Sequence, residues 1–196
     1  MSINPSNFYM LQNILSKFED KKQIKLLELG NQKILYENGT FEIAKSHLSN
    51  LGVQHTSIDI NGLDGALIID LTKDLPKELR DNFDIVTDFG TIEHIEKQEQ
   101  VFKSVHDACK VNGYMIHSLP LNGFWIGHCP YHYTEDFPKN LASKNCYELV
   151  FKEIKPRRKE KFINFIFKKI NTSPFSFTTN GLLFTNRYKR NTDNLF

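Results

Sequence analysis

Five short strand candidates, most of them apolar, dominate the first 120 residues: "IKLLELG" (24–30), "QHTSIDI" (54–60), "ALIIDL" (66–71), "FDIVTDFG" (83–90) and "YMIHSLP" (114–120). Continuous apolar runs of this length, with little polar alternation, fit strands covered on both faces, the condition of a parallel sheet layered between helices. Helical spacing intervenes twice. Thr40 can cap a helix whose apolar face is Phe41, Ala44, Leu48 and Leu51, with Gly52 as its left-handed stop. Ile95, Val101, Phe102, Val105 and Ala108 form a second, closed by Asn112-Gly113. Only Asn61 to Gly65 separate the second and third runs, too few for a helix. The order strand, helix, strand, strand, strand, helix, strand predicts an α/β layered fold with right-handed connections.

Around this core, Asn4-Pro5 reads as an N-cap followed by proline at the first helical position, and Phe8, Leu11, Leu15 and Phe18 continue at helical spacing, so 1–22 is expected to be a lid or packing helix. Residues 23–120 are the core. Beyond Pro120 come a Gly- and aromatic-rich loop to Tyr133, a helix near 134–145, and the strand candidates "YELVFKEI", "KFINFIFKKI" and "GLLFTNRY", which fit an antiparallel finish to the sheet. At 196 residues all of this is expected to form one domain.

Charge excludes little. The net charge of +2 gives no pull toward nucleic acid, although residues 152–169 carry eight Lys/Arg against two Glu around "KPRRKEK", most simply a solvated turn. Cys109, Cys129 and Cys146 are odd in number and lack C-x-x-C spacing, fitting neither a disulfide framework nor a zinc site; a reducing cytoplasm is the expected compartment. No stretch approaches the ~20 apolar residues of a membrane span and the N-terminus lacks a leader's basic start, so a soluble, untargeted protein is expected.

The polar residues collect where such a sheet binds ligands, at the carboxyl ends of the strands. Glu28 and Gly30 close the first run, Asp59 the second, Asp70 the third, and Asp88, Phe89 and Gly90 the fourth. An acid after the second strand can accept both ribose hydroxyls, and an acid after the third can accept from an adenine amino group. Together they outline a slot for an adenosine.

With these residues in place, 23–120 resembles the class I S-adenosylmethionine-dependent methyltransferases of the type 11 small-molecule kind, most closely over "FDIVTDFGTIEHIEKQEQVFKSVHDACKVNGYMIHSLP". The resemblance implies a Rossmann-like, mostly parallel twisted sheet with helices on both faces and antiparallel strands at its C-terminal edge, and S-adenosyl-L-methionine as cofactor. It implies that Gly30 admits the amino-acid end, that Asp59 and Ile60 hold the ribose, that Asp70 and Leu71 hold the adenine, and that Asp88, Phe89 and Gly90 line the methyl donor. Gln32 and Ile34 stand where the family carries its second and third glycines. The cofactor has no pyrophosphate and needs no glycine nest, so Asn31 and Gln32, beside Glu28, can bond its carboxylate and ammonium directly. Asp59 follows Gly30 by 29 positions, against roughly 20 in a compact dinucleotide unit, an extension about as long as "QKILYENG".

Methyl transfer needs alignment, and a base when the acceptor must lose a proton. The base candidates are His94, His117 and His128, with His132 nearby. The acceptor is expected at the loop "GFWIGHCPYHYTEDF", where Trp125, Tyr131 and Tyr133 can stack on a sugar or another planar group and His128 and His132 can contact it. No metal is expected, because H-C-x-x-H lacks zinc spacing. The expected activity is methylation of a small molecule, a sugar hydroxyl or amine in polysaccharide or natural-product assembly. Two rivals stay open: a methyltransferase fold serving as a binding or scaffold module, suggested by Gln32 and Ile34, and a nucleic-acid methyltransferase using the basic segment, although "DFGT" stands where N/D-P-P-Y/F would be needed.

Overall fold

Asn4 caps the first helix as its sequence predicts, its side-chain oxygen accepting from the Asn7 N–H at 3.0 Å. The computed structural model describes residues 2–157, without the Arg157 side chain, and 159–185. The basic turn at Arg157-Arg158 and the end of "GLLFTNRY" therefore lie outside the described residues.

Along the chain, β1 (Ser2–Ile3) precedes α1 (Pro5–Leu15), β2 (Lys25–Leu29), a hairpin of β3 (Lys33–Leu35) and β4 (Phe41–Ile43), then α2 (Ala44–Asn50) and β5 (Gln54–Ile58). After β6 (Phe83–Asp88) come α3 (Gln98–Ala108), β7 (Cys109–Pro120), β8 (Tyr131–Tyr133), α4 (Phe137–Asn145), β9 (Glu148–Arg157), β10 (Glu160–Lys168) and β11 (Leu182–Phe184). The main sheet runs β5-β2-β6-β7-β10-β9. Its first four strands are mutually parallel, and β10 and β9 close the edge antiparallel. Both faces are covered. Leu27, Leu29, Val86 and Met115 pack under α3 and α4, while Leu26, Ile85 and Ile116 pack under α1 and α2. This two-sided burial is why the central strands β2 and β6 read as largely apolar runs, while the edge strand β5 is more polar.

Three expectations give way. Phe41–Ile43 is strand, so α2 begins only at Ala44 and Ile43, not Thr40, stands at its N-cap position without a side-chain bond. That segment, with Phe41 exposed at its start and the β-branched Ile43 at its end, is captured by pairing with β3, which outweighs its helical spacing. "ALIIDL" is reduced to one bridge, Leu67 to Ile58, because Ile68 and Leu67 are left in solvent rather than under a helix. Asn112-Gly113 does not close α3. It lies within β7, where the Asn112 N–H donates to the Lys169 carbonyl at 2.7 Å and Asn112 takes a φ of +68°.

The extension after Gly30 is the β3–β4 hairpin, and β1 adds to it in parallel to make a small second sheet. Ile34, in the place of a glycine, is fully buried beside Met10 and Leu11 of α1. The hairpin is thereby held on the α1 face of the sheet.

α3 ends in a buried polar knot. His106 Nδ1 lies 2.6 Å from the Tyr147 hydroxyl, and Lys169 Nζ donates to the His106 and Cys109 carbonyls at 2.9 and 2.8 Å. Burial, and then the Lys169 charge, push the His106 imidazole down to about 4. In the unfolded chain it takes a proton near 6.5, so between about pH 6.5 and 4 the unfolded state binds more protons and stability falls as pH falls. His106→Gln should flatten that acid limb by up to ~1.4 kcal/mol per pH unit, measured as urea midpoints across the window; an unchanged slope would refute it.

Candidate active site

Sequence order reverses between β2 and β6, and the crevice at the ends of these two strands is where a sheet of this kind takes a ligand. The two loops are tied together there. The Thr91 hydroxyl donates to the Leu29 carbonyl at 2.9 Å, and the Gly30 N–H donates to the Ile58 carbonyl at 2.8 Å. Gly30 has φ +82°, and a Cβ on it would lie 2.6 Å from Thr91 Oγ1 and 2.8 Å from Gln32 Nε2. The bare face of Gly30 is thus closely covered by the Thr91 hydroxyl and the Gln32 amide, an approach that a side chain would prevent.

Gln32 is fully buried, and neither end of its amide has a hydrogen-bond partner among the described residues. Glu28 is equally buried. Its Oε2 accepts from the Gln32 N–H at 3.3 Å and lies 3.4 Å from His55 Nε2 without hydrogen-bond alignment, while Oε1 has no partner among the described residues. Unsatisfied buried groups of this kind are uncommon in folded proteins and mark places where a ligand or water completes the bonding.

Asp59 joins the β2 and β5 loops, accepting from the Asn31 N–H at 2.9 Å and the Asn61 N–H at 3.0 Å. The Asn31 side chain turns the other way, to the Leu63 carbonyl and Asp64. Ile60 is exposed beside it, whereas Leu71 is packed into the α3-side core. Asp70 holds a turn, accepting from the Thr72 N–H and hydroxyl; the hydroxyl bond is the main reason its carboxyl sits below the usual range.

Asp88 is fully buried at the end of β6. Its Oδ1 accepts from the Thr91 and Ile92 N–H groups at 3.0 and 3.2 Å, and Oδ2 lies 3.2 Å from His117 Nδ1. His117 itself is buried and stacked on Phe165. Beyond Asp88 opens a cavity of about 170 Å³ between the start of α1 and the ends of β6 and β7. Phe89, Gly90, Trp125 and His128 line it, and so do Asn7, Glu93 and Ser118. Those last three each carry a buried oxygen with no partner among the described residues: Asn7 Oδ1, Glu93 Oε2 and Ser118 Oγ.

Burial, reinforced by the Asp88 charge, pushes the Glu93 carboxyl well up. Burial, and then the charge of His128, bring His94 down to about 4, and burial also lowers His128. Both imidazoles are neutral at pH 7, their rings 5.1 Å apart edge to face. Trp125 stands at φ +58°, held by its N–H on the Glu160 carboxylate and its indole N–H on the Lys161 carbonyl at 3.1 Å.

The expected acceptor-loop residues divide. Trp125 and His128 face the cavity. Tyr133 is fully buried among Phe102 and Phe137 with its hydroxyl on Gln98 Oε1 at 2.6 Å, so its ring is not open to stacking. Tyr131 donates to the Glu96 carbonyl at 2.9 Å, and Gln98 donates to the Ile92 and Ile95 carbonyls. These tyrosines brace the turn that carries Glu93 and His94. His132, also buried, lies 3.2 Å from the Trp125 carbonyl and steadies the loop from behind. Asn7 and Ser118 escape sequence reasoning because their place in the cavity depends on how α1 docks; Glu93 was visible in "TIEHI" only as the neighbour of His94.

This sheet order, with its cleft at the switch point and antiparallel edge, is the class I S-adenosylmethionine-dependent methyltransferase fold. Among solved structures, 1,6-didemethyltoxoflavin-N1-methyltransferase of Burkholderia thailandensis, with bound 1,6-didemethyltoxoflavin and S-adenosylhomocysteine, matches with a TM-score of 0.56 at 12% identity over 85% of each chain. A putative sarcosine dimethylglycine methyltransferase from Galdieria sulphuraria gives 0.60 at 11% over 84% of this chain and 85% of that one. The [4+2]-cyclase SpnF gives 0.61 at 11% over 83% and 81%. At these identities the likeness defines the fold alone, and a cyclase on it shows that the chemistry must be argued from the site. No protein-family model and no curated protein matches the sequence. Among the described residues no helix is long and apolar enough to cross a membrane.

Proposed function

We propose that this chain is an enzyme that uses S-adenosyl-L-methionine to methylate a hydroxyl or amine of a small acceptor held in the 170 Å³ cavity. The observation that carries this reading is the set of unpartnered buried atoms on Glu28 and Gln32 at the bare face of Gly30. An α-amino acid supplies an ammonium for a carboxylate and a carboxylate for an amide N–H, so the residues fit the cofactor's methionine end. Asp59 and exposed Ile60 suit its ribose and adenine, with Asp70 and Leu71 beyond them. When bound, the cofactor supplies a methyl group on a sulfonium that is already a good leaving group.

This chain's residues then orient and exclude water. Asp88 holds the Thr91–Ile92 turn, setting Phe89 and Gly90 between the cofactor loop and the cavity. Asn7, Glu93 and Ser118 offer the acceptor three oxygens to bond. The cavity has room for one ring-sized unit. That favours a free sugar or similar metabolite over nucleic acid. In the metal-free chain a neutral imidazole at His94 or His128 can take the acceptor's proton.

Calorimetry with S-adenosylmethionine should show one site per chain that Asp59→Ala weakens by at least about tenfold, or ~1.4 kcal/mol. No binding at millimolar cofactor would sink the enzyme reading. Binding without methylated product across sugars and amines would favour the scaffold reading instead.

A further inference from the structure

We propose that Glu93, His94 and His128 bind one divalent transition-metal ion of the zinc type at the edge of the acceptor cavity. The proposal does not depend on methyl transfer, since it rests on the donor atoms alone. One ligand-capable atom from each of the three residues lies within 4.8 Å of the other two, and His94 Nε2 is 4.0 Å from Glu93 Oε1. Around a tetrahedral zinc with bonds of ~2.0–2.2 Å, ligand atoms sit about 3.4 Å apart. The three side chains must therefore draw together by several tenths of an ångström to about an ångström, and His128, the exposed member, has the most freedom to move.

Glu93 and His94 share a short 3-10 turn, Ile92–His94, which is anchored from both ends by Asp88 and Gln98. The independent observation is Glu93 itself. It is 3% exposed, faces Asp88, and its Oε2 has no partner among the described residues. The Glu93 carboxyl is buried beside Asp88, and a dication between it and the two imidazoles would both satisfy its unpartnered oxygen and favour its ionised form.

The donor chemistry selects the ion. Two imidazole nitrogens and one carboxylate oxygen suit zinc and its first-row neighbours, whereas calcium and magnesium want oxygen shells. Three protein ligands would leave a fourth position open, and Glu93 and His128 both line the cavity. The set differs from the H-C-x-x-H grouping in the sequence. Cys129 Sγ meets the Tyr131 carbonyl and His132, and it is not one of the three clustered donors.

The test is zinc titration of the untagged full-length chain by calorimetry, with cobalt(II) absorption as a second readout of ligand geometry. The expected result is one equivalent of zinc per chain, with affinity falling at least about tenfold in both Glu93→Gln and His128→Ala, and unchanged in His47→Ala, whose imidazole pairs with Glu42 elsewhere. Circular dichroism of Glu93→Gln confirms that loss of zinc is not loss of fold, and His128→Ala alters an exposed side chain. No zinc binding, or an affinity unchanged in either site variant, overturns the proposal.

Discussion

Gly30→Ala should abolish measurable S-adenosylmethionine binding, a loss of at least about a hundredfold or ~2.7 kcal/mol. Two costs combine in this variant. At φ +82° an alanine pays ~1–2 kcal/mol for the left-handed backbone. Its Cβ also lands 2.6 Å from the Thr91 hydroxyl and 2.8 Å from the Gln32 amide, distances that real contacts do not reach. Thr91 must release the Leu29 carbonyl or Gln32 must turn away, and either change displaces groups around the amide proposed to meet the methionine end. Gly39→Ala separates the two costs. Gly39 has the same φ of +82° in the β3–β4 hairpin, but nothing lies within 4 Å of an added Cβ. It should lose only the backbone cost in thermal unfolding and bind cofactor like the unaltered chain. Wild-type cofactor affinity in Gly30→Ala would remove Gly30 from the site.

Lys169→Met should cost ~3–5 kcal/mol of stability, enough to unfold much of a marginally stable domain at 37 °C. Lys169 is 3% exposed, and its ammonium donates to two buried carbonyls, those of His106 and Cys109. Methionine fills similar space and leaves both oxygens without this donor, at ~1–3 kcal/mol each. The third partner, Asp81 Oδ1 at 3.2 Å, has its side chain 72% exposed, so Asp81→Ala should have a much smaller effect. Urea unfolding of the two variants measures the difference. A loss below ~1 kcal/mol in Lys169→Met would show that these bonds are replaced by water. The same substitution should also let the His106 imidazole rise, because the Lys169 charge is one of the groups holding it down.

Lys169 also shows what a sequence conceals. In the chain it belongs to a basic segment of net +6 that reads most simply as solvated, yet in the fold its charge is buried at the α3–β7 junction. Asp70 shows a related ambiguity. Its position at the end of a run suggested a ligand contact, and its carboxylate is bonded to the Thr72 turn. Both cases turn on which neighbour a charged group meets, information carried by contacts distant in sequence or by turn geometry rather than by residue type.

Period and end signals were enough for much of the architecture. The runs at 24–29 and 83–88 are strands, Asn4-Pro5 starts a helix, Gly52 follows one in the left-handed conformation, and the last long strands pair antiparallel. Each of these follows from local chemistry: two-sided apolar burial, a side-chain cap, a residue without a Cβ, an alternation of turn and strand formers. Tertiary structure alone decided the rest. Pairing with β3 made strand of Phe41–Ile43, solvent left Ile68 uncovered, and the aromatic core took Tyr133 away from the acceptor. The docking of α1 brought Asn7 to Glu93 and Ser118 across the cavity, and the loop after β7 brought His128 to His94. A sequence records spacing along one line. The site is made by groups up to 121 positions apart, from Asn7 to His128, whose meeting depends on sheet order and on which buried oxygens are left without partners.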